Sequence, residues 1–154
     1  MATLEQDRAR FALERIDPLK NRSAGDQAKF KSQLLKLPAR LHTSGLGQTV
    51  AFYLAAGAES PEAEICAWLG TWLATRLNLG DRPLLECITG TVPPPTEAET
   101  IYRKASAEAR ALAVWLKRFA EAFLSERLPA PHAAGAEDQE AGATGTVAEG
   151  GGSR

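Results

Sequence analysis

Residues 1–128 of this 154-residue chain read as one all-α bundle of five to six helices, closed by a long C-terminal helix and followed by a disordered tail at 129–154. Apolar residues recur at helical spacing throughout the first part, and nowhere does an apolar/polar alternation run between turn signals. Caps, prolines and glycines divide the pattern into segments of helix length. From Leu128 the chain becomes "LPAPHAAGAEDQEAGATGTVAEGGGSR", with Val147 the only sizeable apolar residue after Pro131. Such a stretch cannot offset the entropy of ordering it.

The first helix starts at about Thr3, with Gln6 completing a Thr-x-x-Gln capping box, and ends before Asp17-Pro18. A second begins after Asp26 and carries Phe30, Leu34, Leu37 and Leu41 on a core-facing stripe. Pro38 lies inside it and predicts a kink or a break. Gly45 closes it, and a third helix covers about 46–56 and stops at Gly57. Ser60 as N-cap and Pro61 at the first helical position open a fourth, with Ile65, Trp68, Leu69, Trp72 and Leu73 as a broad apolar stripe. A short helix at 83–89 and the extended "TVPPP" linker follow. The last helix starts with a Thr96/Glu99 capping box and runs to about Arg127, a length of ~45 Å. Ile101, Ala105, Leu112, Leu116, Phe119 and Phe123 share one face, and Arg103, Arg110 and Lys117 the opposite one.

A composition of 44% hydrophobic and 24% charged residues fits one globular core. No apolar run approaches the ~20 residues of a membrane span, and "MATLEQDRAR" has no signal-peptide core, so a cytoplasmic protein without membrane contact is expected. Cys66 and Cys87 lack CxxC spacing and read as structural thiols. The net charge of −1 hides an asymmetry: residues 1–40 hold nine Lys/Arg against five acids, while 132–154 hold one Arg against four acids. Removing that −3 leaves 1–131 at +2, a mildly basic domain with an acidic appendage.

The stretch "RLHTSGLGQTVAFYL" at 40–54 has two candidate uses, a phosphate-holding loop or a helix corner. Gly45-Leu46-Gly47 has neither the Lys-Ser/Thr of a P-loop nor the preceding strand and third glycine of a dinucleotide fingerprint. A corner explains it better, with Gly45 in a left-handed cap conformation and Leu46 packing back. His42 is the only histidine before the tail, so neither a two-histidine metal site nor HExxH exists; His42 beside Ser44 lacks an orienting carboxylate in sequence. The chain therefore reads as no enzyme, with no catalytic residue, metal site or cofactor. Lys29, Lys36 and Arg40 form one line on the second helix, about 100° from its apolar stripe, and suit a phosphate backbone. Solvated i,i+4 pairs such as Glu99–Arg103 and Lys117–Glu121 explain part of the remaining charge. An alternative use of the fold is a protein adaptor that docks through Trp68 and Trp72 and meets no nucleic acid.

The stretch "LLKLPARLHTSGLGQTVAFYL" is similar to the Leu-Pro, Asn/Ser-Gly-Leu-Gly-Gln, Ala-Phe signature of the small-subunit family of the type III-B CRISPR–Cas effector, the Cmr complex. "YRKASAEARALAVWLKRFAEAFL", with Trp115, Lys117, Arg118, Phe119 and Ala120, resembles the C-terminal helix of that family. Two departures stand out: Ser44 precedes the glycine where Asn is usual, and the acidic tail has no counterpart. The resemblance implies an all-α, non-catalytic subunit in antiviral defence that stacks beside the backbone subunits, near the large subunit, of a filamentous ribonucleoprotein carrying CRISPR RNA. It implies contact with the target RNA through phosphates, which places Lys29, Lys36, Arg40, Lys117 and Arg118 as candidate RNA-binding residues. Weak head-to-tail self-association is expected, since a heterologous contact that does not close produces filaments.

Overall fold

The computed structural model describes residues 1–80, 84–91 and 95–126; the expectations for the tail and for Arg127 and Leu128 lie outside these. Helix α1 (Leu4–Ile16) opens on the expected capping box: the Gln6 N–H donates to Thr3 Oγ1 at 3.2 Å and the Thr3 N–H to Gln6 Oε1 at 2.8 Å. It ends before Pro18, as read, but the chain goes on into a 3-10 turn, η1 (Asp17–Asn21), whose Leu19 is buried. Proline suits the first turn of a new helix, and one apolar anchor suffices for so short an element.

Helix α2 (Ala24–Ala55) begins earlier than expected. Ser23 is the N-cap, accepting from the Asp26 N–H at 3.2 Å, so Asp26 lies in the first turn, where the helix dipole favours its charge. Phe30, Leu34, Leu37 and Leu41 are all buried. Of the kink or break expected at Pro38, the break does not occur: the helix continues through it. Each flanking leucine contributes about 1.5–3 kcal/mol by burial, which together outweigh the ~3 kcal/mol that an interior proline costs. The chain leaves helical geometry at Gly45 instead, at φ 79°, ψ 170°. That is not the left-handed cap expected there but an extended, positive-φ conformation open essentially to glycine alone. The corner exists nonetheless: the buried Leu46 restarts the helix, and the Thr49 hydroxyl donates to the Gly45 carbonyl at 2.7 Å.

Helix α3 (Pro61–Arg76) starts as read, with Ser60 Oγ accepting from the Ala63 N–H at 3.1 Å. Helix α4 (Leu84–Thr89) matches the short segment expected. Helix α5 (Pro95–Phe123) begins one residue before Thr96, whose side chain and the capping box expected of it lie outside what is described, and it stops short of Arg127. Ala105, Ala109, Leu112, Ala113, Leu116 and Ala120 are its buried face, and the alanines let neighbouring helices approach closely. Phe123, expected on that face, is 43% exposed, because Leu124 takes the inward position where the helix ends. The chief packing is α2 on α5, then α1 on α5 and α2 on α3. The α2–α5 pair is antiparallel: Gly47 meets Tyr102 at one end, and Lys31 meets Leu124 at the other.

Candidate nucleic-acid interface

Lys29 and Lys36, two turns apart on α2, are exposed, and neither has a hydrogen bond or ion pair among the described residues. Arg40 continues their line but is half-buried and braced. One terminal nitrogen donates to Gln33 Oε1 at 2.6 Å and to the Tyr53 hydroxyl at 3.4 Å, and the guanidinium lies 4.5 Å from the Phe52 ring centroid. Both bonds use the same nitrogen, so Nε and the other terminal nitrogen keep their donors for an incoming acceptor. Tyr53 is fully buried, and burial raises its hydroxyl pKa while Arg40 pulls the other way.

On α5, Lys117 is half-buried and Arg118 exposed. The expected Lys117–Glu121 pair is not formed; Glu121 pairs with Arg118 at 3.4 Å, while the Glu99–Arg103 pair forms as read at 2.6 Å. No hydrogen bond or ion pair joins Lys117 or Arg118 to Lys29, Lys36 or Arg40, so the candidates stand as two groups on neighbouring helices.

Two polar assemblies were not evident from the sequence. Arg8 and Glu108, a hundred residues apart and each 14% exposed at the side chain, form a two-pronged pair at 2.8 and 3.3 Å, and Trp72 Nε1 donates to the same carboxylate at 3.3 Å. Arg8 also pairs with Glu5, which accepts from Trp115 Nε1 at 2.9 Å; the Trp115 bond and then Arg8 hold the Glu5 pKa below its ordinary value. The second is Lys31, only 6% exposed, whose ammonium donates to the Leu124 carbonyl at 3.2 Å and pairs with Glu126 at 3.1 Å. Its one sequence signal is its place beside the Phe30–Leu34 stripe, three residues before Leu34.

The two Gly-loop readings separate here. The Gly47 N–H donates to the Tyr102 hydroxyl at 3.2 Å, so that donor faces α5 and not an anion. His42 and Ser44 are exposed, with no hydrogen bond between them, and no group of three His, Cys, Asp or Glu among the described residues is placed to hold a metal ion. Cys66 is a free, buried thiol whose pKa burial raises; the side chain of Cys87 lies outside what is described. Trp72 is buried against Phe11 at 5.1 Å, and Trp68 is half-buried against Phe30 at 5.8 Å, which commits both to internal packing.

What the fold and surface define is a helical module whose polar groups brace helices, with exposed basic residues on α2 and α5. Its kinship is specific: the model of the CRISPR-associated protein family Cas_Cmr5 matches residues 4–123, from the first residue of α1 to the last of α5. A relative from Thermus thermophilus, described as CRISPR system Cmr subunit Cmr5, is 33% identical over 129 residues, covering 82% of this chain and all of the relative. The chain belongs to the Cas_Cmr5 family of CRISPR-associated proteins.

Proposed function

We propose that this chain is the non-catalytic small subunit of a type III-B Cmr effector, stacking along the backbone filament and contacting target RNA through phosphates. The observation that carries the proposal is the family match over every described helix, including the 45–47 corner. What supports RNA contact is the unpartnered state of Lys29 and Lys36, with Arg40 held rigid beside them and Lys117 and Arg118 as a second group. Contacts of this kind fix position without reading bases, which suits a subunit whose target is selected by guide–target pairing. CRISPR RNA, the backbone subunits and the large subunit are then its neighbours, in the cytoplasm. No helix among the described residues is long and apolar enough to cross a membrane.

The test is a Cmr complex assembled with Lys29→Glu and Lys36→Glu chains. Target-RNA affinity is expected to fall, and the slope of log affinity against log salt to shrink by about 0.7–0.9 for each phosphate that the variant no longer neutralises. Unchanged affinity and slope, with the complex intact, would remove α2 from the interface. Failure of the wild-type chain to co-purify with CRISPR RNA and backbone subunits would remove the assignment altogether.

A further inference from the structure

A groove of about 550 Å³ runs along the outer side of α2. At 100° per residue, Ser32 and Leu35 lie between Lys31 and Lys29 around the helix and form its shallow floor. Lys29 and Glu62 line one side, Lys31 and Glu126 the other. The Glu126 charge is answered by Lys31, whereas Lys29 has no partner among the described residues, and Lys36 extends the same line one step on.

The position of the last described residue decides what fits this groove. The Lys31 ammonium holds both the Leu124 carbonyl and the Glu126 carboxylate, and the Ser125 N–H donates to Gln27 Oε1 at 3.0 Å. The chain therefore leaves α5 pinned at the groove's own wall. Beyond it lie 28 residues rich in Ala and Gly, with Glu137, Asp138 and Glu140 placed eleven to fourteen residues on. Random-coil statistics for eleven to fourteen residues give a root-mean-square reach of ~18–22 Å, enough to cross the groove and too short to dilute the acids away from it.

We propose that the groove is the docking surface for the chain's own acidic segment, with Glu137, Asp138 and Glu140 facing Lys29 and Lys36. Small side chains suit the shallow floor, and three acids in four residues complement the unpartnered lysines. The docked segment occupies the lysines assigned above to RNA phosphates, so the tail and RNA compete. The docking stands on the groove, the pinned exit and the charges; the competition also rests on the proposed function.

Zero-length carboxyl-to-amine cross-linking of the full-length chain, mapped by mass spectrometry, tests the docking. Cross-links from Glu137, Asp138 or Glu140 to Lys29 or Lys36 are expected at low salt, with strong loss at about 1 M salt, where the Debye length is ~3 Å. The Lys31–Glu126 pair serves as internal control. If it cross-links and the tail does not, the docking is wrong. If mixed light and heavy isotope chains give mainly heavy–light tail cross-links, the occupant is a second copy, and the proposal is equally wrong. Competition is read by titrating a single-stranded oligouridylate into wild type and into the Glu137→Gln, Asp138→Asn, Glu140→Gln variant. Several-fold tighter binding by the variant is expected; equal binding overturns the competition. Persisting tail cross-links with no RNA binding by either chain would support the docking and sink the RNA reading instead.

Discussion

At the residue scale, two positions carry chemistry that a substitution isolates. Gly45 holds φ 79°, ψ 170°, a region a β-carbon makes costly by about 1–3 kcal/mol, and only the Tyr102 hydroxyl, at 3.7 Å, stands near the added atom. Gly45→Ala is therefore expected to lose that amount in urea unfolding through backbone strain; a loss below a few tenths would show that the corner relaxes freely. Glu5 is a probe of pH. Its folded pKa is depressed, first by the Trp115 N–H and then by Arg8, so its contribution is fully present above the ordinary value of 4.5 and disappears as pH falls through the lower folded value. Trp115 fluorescence should change over that acid window, and Glu5→Gln should abolish the change; an identical titration in the variant would assign it to another group. The glycine corner was legible in the sequence because a Gly pair between apolar stripes has few other uses. Its ψ was not, because that angle depends on how Leu46 and Thr49 pack.

Between elements, pairing over long sequence distance decides what periodicity cannot. The stripes of α2, α3 and α5 could be read from spacing, as could the Thr3 and Ser60 caps, because each signal lies within one or two turns. The partners Arg8 and Glu108, or Lys31 and Leu124, could not, since nothing local to either residue names the other. That the helix runs unbroken through Pro38 was hidden for the same reason: the proline's local penalty is visible in the sequence, but the tertiary burial that offsets it is not. Arg8→Met leaves Glu108 and Trp72 without their cation at a half-buried site, and a loss of about 1–3 kcal/mol is expected, a melting shift of roughly 2–4 °C per kcal/mol for a chain of this size. An unchanged melting temperature would mean that water replaces the guanidinium. Lys31→Met keeps the apolar stem but removes the donor from the Leu124 carbonyl and the partner from Glu126. Amide exchange over residues 121–126 should quicken while that of α1 stays as in wild type; uniform quickening would instead make Lys31 part of the global core.

For the whole molecule, the proposed head-to-tail stacking asks the surface for two different contact sites. Once the core is formed, Phe52 at 55% and Leu54 at 45% exposure remain on α2, and Val114 at 48% and Phe123 at 43% on α5. At 100° per residue Phe52 and Leu54 stand about 200° apart around α2, and Val114 and Phe123 about 180° apart around α5, so Phe52 and Phe123 are separate anchors on two helices. A head-to-tail contact joins two such different sites, whereas a twofold dimer sets one surface against itself. Basic sites were legible here only as stripes: Lys29 and Lys36 proved free among the described residues, but Arg40 was engaged, since a sequence does not show that Phe52 and Tyr53 return across the corner to meet it. The two side chains yield a test of the proposed stacking. If Phe52 of one copy meets Phe123 of the next, sedimentation of the isolated chain should show weak, concentration-dependent association that Phe52→Ser and Phe123→Ser each reduce. The double variant should then lose little more than either single one, because the two side chains share one contact. Additive losses would place the two side chains in separate interfaces, and a wild-type chain that stays monomeric at every concentration would count against self-association of the isolated chain.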